Sequence, residues 1–382
     1  MLRVLLAGGG TAGHINPALA IAEIIKSHHP DAEFCFAGNP NKLEAKLVPQ
    51  NGYAFEPIIV EGFQRKITPE NIKRNAKALY YLCSTSKQAK RIITKFKPDI
   101  VIGTGGYVSG PVVRKAAQMG IKTAIHEANA YAGVTTKLLS KIVDTIMLTV
   151  KETKNLDESV QAKIVVTGLP VRKAFELKSK ADAKRELGFD ENEICILSSG
   201  GSLGSKVMNE NVARLLKWYQ DNNIKVNHVH SYGTYVDYAN YVDNLEKQGV
   251  NVKNNKRLIV KEYVNMPLCM AAADLVISRC GASTLAELEA VGRGAILIPS
   301  PMVAENHQYH NGMVLENAGA GFVFEEKNIT ENTIIDKVSE LINAPEKLEE
   351  LSKNAAALHI SDTDERIYNA IEPLIKVAMI KS

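Results

Sequence analysis

The sequence predicts an α/β protein built as two doubly wound, Rossmann-like domains facing a cleft. Three observations carry that expectation. Short β-branched or apolar runs alternate with longer amphipathic segments along the whole chain, the pattern of βαβ units on parallel sheet. The 382 residues exceed what one hydrophobic core organises, so two domains are the starting expectation. The second half also opens as the first does, with a strand running into glycines: LLAGGGTAGH at residues 5–14 and CILSSGGSLGSK at 195–206.

In order, the strand runs are Arg3–Ala7, Glu33–Ala37, Ile100–Ile102, Thr123–Ile125, Thr145–Leu148 and Ile164–Val166. They resume at Cys195–Ser198, Asn227–His230, Leu258–Val260, Leu275–Ser278 and Ala295–Pro299. That is too much strand for one doubly wound sheet, and it falls into two blocks. The seam is expected near Gly168-Leu169-Pro170-Val171-Arg172, ahead of the charged stretch 173–192. The expected domains are 1–166 and 167–358, with a final helix over 359–382 returning to the first domain.

Hydrophobic content of 45% and charged content of 23% fit a water-soluble globular chain, and a formal charge of +4 argues for no nucleic-acid partner. Cys35, Cys83, Cys195, Cys269 and Cys280 are scattered, odd in number and form no C-x-x-C pair. They read as reduced thiols of a cytosolic protein, neither a disulfide framework nor a zinc site. Met1-Leu2-Arg3 leads straight into a run too short for a signal-peptide core, so no leader is expected. No apolar stretch approaches the roughly 18–20 residues of a membrane span.

Three glycine-rich turns follow strand runs: Gly8–His14, Gly103–Pro111 and Gly200–Gly204. Glycine lets backbone N–H groups approach an anion closely, and the helix that follows adds its positive end, so each turn is a candidate phosphate cradle. Gly8, Gly10 and Gly13 even satisfy the dinucleotide spacing G-x-G-x-x-G. A nicotinamide site also needs an acid at the carboxyl end of the second strand. That strand ends in Gly38-Asn39-Pro40, and Asp31 and Glu33 lie at its beginning, so the dinucleotide reading is set aside.

The segment SRCGASTLAELEAVGRGAILIP, 278–299, carries a nucleotide signature: a strand, then Gly281-Ala282-Ser283-Thr284, then a helix holding Glu287. Small residues and unsatisfied N–H groups at a helix start suit a phosphate, and a carboxylate suits vicinal ribose hydroxyls. Glu287 also has a plainer reading, as capping-box partner of Ser283 or Thr284. Downstream, SPMVAENHQYHN (300–311) strings amide and imidazole groups along a loop, as sugar hydroxyls require, although Asn306 could equally be a helix cap.

Over essentially its whole length the sequence resembles the MurG family, GT-B-class members of glycosyltransferase family 28. The resemblance rests on GGGTAGHINPALAIA (8–22), GTGGYVSGP (103–111), HEANAYAG (126–133), GLPVR (168–172), GGSLGSK (200–206), RCGASTLAE (279–287) and the His307-Gln308 pair. Mild departures are Ala12, Leu169 and His307. It implies transfer of N-acetylglucosamine from UDP-N-acetylglucosamine to the C4 hydroxyl of the muramyl sugar of lipid I (undecaprenyl-pyrophosphoryl-muramyl-pentapeptide). The product is lipid II, with a β-1,4 link formed by inversion, in the peptidoglycan synthesis of growing and dividing bacterial cells.

The resemblance also implies roles. Glu287 grips the ribose, the backbone around Val264 the uracil, and Ser202, Arg172 and Ala282, Ser283 and Thr284 the diphosphate. Gln308 and Asn129 contact the N-acetylglucosamine, with Thr11, Ala12 and Gly13 near the same sugar. His14 is the candidate general base, since an imidazole titrates near working pH. A second reading has His14 only positioning the acceptor diphosphate. Gly10, Gly13, Gly105, Gly106 and Tyr107 are the candidate diphosphate contacts. His126 is expected to support the loop carrying Asn129. No cofactor and no obligatory metal are expected, because the only D-x-D, Asp362-Thr363-Asp364, starts the final helix, where capping explains it.

The lipid acceptor requires a membrane-facing surface without a span. Residues 65–97 carry ten cations against Glu70 alone, around Ala78-Leu79-Tyr80-Tyr81-Leu82. A basic helix with an apolar, aromatic patch is the pattern of peripheral binding to an anionic inner leaflet, here at the cytoplasmic face of the cell membrane. Lys73, Arg74, Lys77, Tyr80 and Tyr81 are the expected contacts. Two alternatives explain less. A UDP-N-acetylglucosamine 2-epimerase would need paired cleft carboxylates that the sequence lacks. A nucleotide-sugar sensor would need neither His14 nor the basic patch.

Overall fold

A computed structural model of the chain describes residues 1–60, 84–175 and 178–381. The chain divides into two compact units, Met1–Pro170 with Asp362–Ser382, and Val171–Ser361.

The first unit is a seven-stranded, all-parallel sheet. Its strands are β1 (Arg3–Gly8), β2 (Glu33–Gly38), β3 (Ala54–Pro57), β4 (Ile100–Gly105), β5 (Lys122–Glu127), β6 (Thr145–Leu148) and β7 (Ile164–Val166). They lie in the order β3-β2-β1-β4-β5-β6-β7. Side chains alternate across a strand, so β1 feeds two cores. Val4 and Leu6 pack with Ile15, Ala18 and Ile21 of the Ala12–His28 helix. Leu5 and Ala7 pack on the other face with Ile92 and Ile93 from helical residues 84–96, and with Val108 and Val112 of the Gly106–Gln118 helix. The Thr363–Lys381 helix lies on the first face through Ile367, Ile371 and Ile375, four residues apart and all buried.

The second unit is a six-stranded parallel sheet in the order β10-β9-β8-β11-β12-β13. Its strands are β8 (Cys195–Ser199), β9 (Asn227–Ser231), β10 (Leu258–Lys261), β11 (Leu275–Ser278), β12 (Ala295–Leu297) and β13 (Gly321–Val323). Cys195 and Leu197 face one helical layer, with Cys269, Leu285 and Leu288, while Ile196 faces the other, with Met208, Val212 and Leu215. The expected α/β class with two Rossmann-like sheets is what the chain adopts.

All eleven strand runs are strands, and two further strands lie at sheet edges. β3 reads AFEP and has no fully buried residue, so no apolar run marks it. β13 is three residues long and begins at Gly321, where a Cβ would come within 2.6 Å of the Ala295 carbonyl. Close strand approach, not hydrophobicity, selects that glycine.

Ile371→Ala should cost about 2–5 kcal/mol, because it empties a fully buried site between the final helix and the sheet. Denaturant unfolding monitored by circular dichroism measures it; an unchanged midpoint would mean that the helix does not contribute to the fold.

Candidate active site

In the first unit the site grows from a bulge. The β1–β4 register runs Ala7 against Gly103, then Gly8 against Gly105, which leaves Thr104 as the extra residue. The Thr104 carbonyl accepts a 3.1 Å hydrogen bond from His14 Nδ1, and Thr104 Oγ1 donates to the His14 carbonyl at 2.7 Å. A carbonyl oxygen can only accept, so in the neutral ring Nδ1 carries the proton and Nε2 the lone pair. Gly105 and Gly106 have φ of 104° and 76° and leave no room for a side chain. A Cβ on Gly105 would lie 2.5 Å from His14 Nδ1, and one on Gly106 would overlap the Gly9 carbonyl. Two of the three glycine turns thus pack on each other and on His14. Thr11 is the N-cap residue of the Ala12–His28 helix and makes no side-chain cap bond. Thr11, Ala12, Gly13 and Tyr107 are exposed.

Gly10 is exposed, and its N–H donates to Glu44 Oε2 at 3.0 Å, so that amide already has an acceptor within the chain. His126 differs from the expectation. It is buried and its Nε2 donates to the Gly168 carbonyl at 3.0 Å, away from the Asn129 loop, and burial lowers its pKa. The residue that organises that loop is its neighbour Glu127, which the sequence reading passed over. One Glu127 oxygen accepts from the Asn129 backbone and side-chain nitrogens, and the other from Gly133 N and Thr136 Oγ1.

In the second unit β11 runs into Gly281, the N-cap of the Ala282–Val291 helix, which has no side-chain cap. The first-turn N–H groups of Ala282, Ser283 and Thr284 therefore present the positive helix end that suits phosphate oxygens. With Gly281 as cap, Thr284 is the third helical residue and Glu287 lies beyond the capping-box position, so the capping reading of Glu287 fails. Its carboxylate instead meets Arg172 Nη2 at a long 3.5 Å. Burial pushes the Glu287 carboxyl up to about 7, against the opposing pull of the Arg172 guanidinium. Arg172 is oriented by cation–π contact with Phe175, 5.0 Å from guanidinium carbon to ring centroid.

Ser202 sits exposed in the third glycine turn, its carbonyl held by Thr234 N and Oγ1. Val264 buries its side chain in the core below β10, and Asn265 beside it caps the Met266–Ala272 helix. Gln308 Oε1 accepts from Ser300 N at 2.9 Å and so braces its own loop. In that loop Glu305 and Asn306 both have positive φ, 54° and 51°, a strained pair of the kind that marks ligand-binding loops. Asn306 occupies the N-cap position of the His307–Asn317 helix without a side-chain cap bond.

Arg279 is a further functional candidate that sequence reasoning missed, although it stands inside the quoted RCGAST string. It pairs with Glu326 at 2.6 Å and donates to Ser205 Oγ and to the Ile298 carbonyl, tying the third glycine turn to the strand before the 300–311 loop. A lone arginine between the strand and the glycine of such a string was the available signal.

Asp362 pairs with Arg366 at 2.7 Å at the start of the last helix. Among the described residues no group of three His, Cys, Asp or Glu could hold a metal, and no helix is long and apolar enough to cross a membrane. The expected lipid contacts Lys73, Arg74, Lys77, Tyr80 and Tyr81 lie outside the described residues.

The N-terminal domain of glycosyltransferase family 28 matches residues 4–148, and the C-terminal domain of that family matches 195–367. A protein of Acetivibrio thermocellus named UDP-N-acetylglucosamine–N-acetylmuramyl-(pentapeptide) pyrophosphoryl-undecaprenol N-acetylglucosamine transferase is 40% identical over 378 residues, 98% of this chain and 99% of its own. The crystal structure of Acinetobacter baumannii MurG superposes with a TM-score of 0.77 at 24% identity, covering 98% of this chain and 100% of that one. A putative UDP-N-acetylglucosamine 2-epimerase from Listeria monocytogenes shares the fold as well, with a TM-score of 0.67 at 13% identity over 99% and 97% of the two chains. Fold alone therefore does not separate transferase from epimerase, whereas the two domain matches and the full-length kinship do. The chain belongs to glycosyltransferase family 28.

Proposed function

We propose that the chain transfers N-acetylglucosamine from UDP-N-acetylglucosamine to the C4 hydroxyl of the muramyl sugar of lipid I, giving lipid II with inversion at the anomeric carbon. The observation that carries the chemistry is His14, whose Nδ1 is anchored to the Thr104 carbonyl and whose Nε2 therefore holds the lone pair. Nε2 takes the proton of the acceptor hydroxyl as that oxygen attacks C1 of the donor. The electron pair of the breaking C1–O bond leaves with UDP. Charge developing on the diphosphate is met by the first-turn N–H groups of Ala282, Ser283 and Thr284 and by Arg172, fixed donors of the kind that dominate catalysis. Glu287 accepts from the ribose hydroxyls. No obligatory divalent ion takes part.

The deciding assay incubates the protein with UDP-N-acetylglucosamine and a lipid I analogue, with and without a chelator. Released UDP and a new disaccharide lipid, in both conditions, are expected; neither product appearing would overturn the reading. His14→Ala and His14→Gln should lower kcat by about 10²–10⁴-fold while leaving donor affinity nearly intact. Full activity in both variants would remove His14 from the chemistry.

Donor binding should depend on pH through Glu287. With its pKa raised by burial to about 7, one oxygen is protonated below that pH, whereas both accept above it. Affinity for UDP-N-acetylglucosamine, a diphosphate diester that does not itself ionise near neutrality, should weaken as pH falls through 7. Calorimetric titration on either side of that pH measures this, and Glu287→Gln should flatten the profile.

The lipid acceptor places the protein at the cytoplasmic face of the membrane as a peripheral protein. On the described part of the basic segment, Lys87, Lys90 and Arg91 are exposed while Ala89, Ile92 and Ile93 are buried, a cationic face on a packed helix. Binding to anionic liposomes should weaken with salt and with charge reversal at Lys73, Arg74 and Lys77. Unchanged co-sedimentation of that triple variant would sink the assignment.

A further inference from the structure

We infer that Glu44 is a positioning residue for the transfer: an internal carboxylate seated where the first glycine turn would otherwise take an external phosphate. The inference rests on the proposed transferase reaction for its kinetic consequence, but not for its geometry.

Glu44 begins the Glu44–Gln50 helix and its side chain is fully buried. Its Oε2 accepts from Gly10 N at 3.0 Å and its Oε1 from Asn39 N at 3.0 Å. Gly10 follows the end of β1 and Asn39 the end of β2, strands that pair up to Ala7 against Ala37. The carboxylate therefore staples two neighbouring strand ends at the edge of the sheet where doubly wound folds bind ligands. Glycines make room for it. A Cβ on Gly9 would overlap Glu44 Oε1, and one on Gly38 would lie 2.6 Å from Glu44 Cγ. In a dinucleotide site the turn after β1 faces the pyrophosphate and an acid at the end of β2 takes the ribose. Here one side chain of the protein fills both places, so the fingerprint at Gly8–Gly13 is satisfied from within.

Two consequences follow from that seat. A buried negative charge beneath the turn repels a second anion, which denies the Gly10 amide to a substrate phosphate. The turn is also gripped at both ends, by Glu44 at Gly10 and by Thr104 at His14. Between them, Gly9 packs on Gly106 without room for a Cβ. Loosening the first grip lets the turn shift and carries the His14 ring off its line.

The test uses the full chain. Glu44→Gln keeps the shape but turns an NH2 group towards one of the two amides. It should lower kcat by about tenfold to a hundredfold, the effect of a displacement near 1 Å, with the KM for UDP-N-acetylglucosamine unchanged. Glu44→Ala, with saturating UDP occupying the donor site, should gain about tenfold in affinity for inorganic pyrophosphate, read by calorimetry, because amides are freed and a charge is removed. Damage to the fold would not produce that gain. Gly9→Ala, which pushes the carboxylate aside without deleting it, should reproduce the loss in kcat and covers the case in which Glu44 variants do not fold. Wild-type kcat in Glu44→Gln or in Gly9→Ala, or no gain of pyrophosphate affinity in Glu44→Ala, overturns the inference. If the wild-type protein releases no UDP, the transferase reading fails while the pyrophosphate arm still judges Glu44.

Discussion

Parallel strands buried on both faces constrain everything else in each unit. Alternate residues of one strand must satisfy two separate cores, as Val4 and Leu6 do against Leu5 and Ala7. Helices then cover both faces, and the place left for chemistry is the edge where strands end. The candidate residues collect there in both sheets: the turns after β1 and β4 in one unit, the turns after β8 and β11 in the other. Close packing at those edges is what selects glycine. Gly105 abuts the His14 ring, and the backbones of Gly204 and Gly233 touch in the second unit.

Three acidic side chains stand close to these edges, and their hydrogen bonds differ. Glu44 and Glu127 are buried, and each places both oxygens on N–H or O–H donors of the protein. A carboxylate so paired and out of reach of solvent serves to fix its loop. Glu287 is less buried and, among the described residues, has a long contact with Arg172, and burial raises its pKa to about 7. Among the described residues its carboxylate thus meets fewer donors than Glu44 or Glu127, which is why burial dominates its pKa.

The contrast also explains what could be read from the sequence. Nine of the eleven strand runs lie inside the sheets, where a strand buried on both faces must be nearly all apolar, and the edge strands β7 and β10 were legible from their own β-branched and apolar runs. β3 and β13 were not: β3 breaks its run with Glu56 and Pro57, and β13 is three residues long and opens on a glycine. Glu287 and His14 drew notice because they sit inside glycine-rich strings whose spacing speaks of helix starts, and both do lie in the opening turns of helices. Glu44 drew none. It stands 34 residues from Gly10 with nothing local to mark it, and only the parallel pairing of β1 with β2 brings it under the turn. Glu127 was hidden beside the more conspicuous His126. Gln308 and Asn306 were named for sugar contact or capping, yet Gln308 spends its oxygen on Ser300, and the strain at Asn306 shows only in φ.

The G-x-G-x-x-G spacing shows why a motif cannot stand for a ligand. Its glycines are selected by the close approach of backbone to whatever fills the turn, and that filler can be a cofactor phosphate or a carboxylate of the same chain. The regular expression does not distinguish the two, because both demand the same absence of side chains. What separates them is the second strand's end. Where a dinucleotide fold keeps an acid on the strand itself, this chain has Asn39 offering a backbone N–H, and the acid arrives from the following helix. A donor at that place calls for an internal acceptor, and the Gly10 amide is engaged by the same carboxylate. The histidine that ends the motif is tied in the same way to its own chain, its ring Nδ1 and its carbonyl both bonded to Thr104 at the β4 bulge.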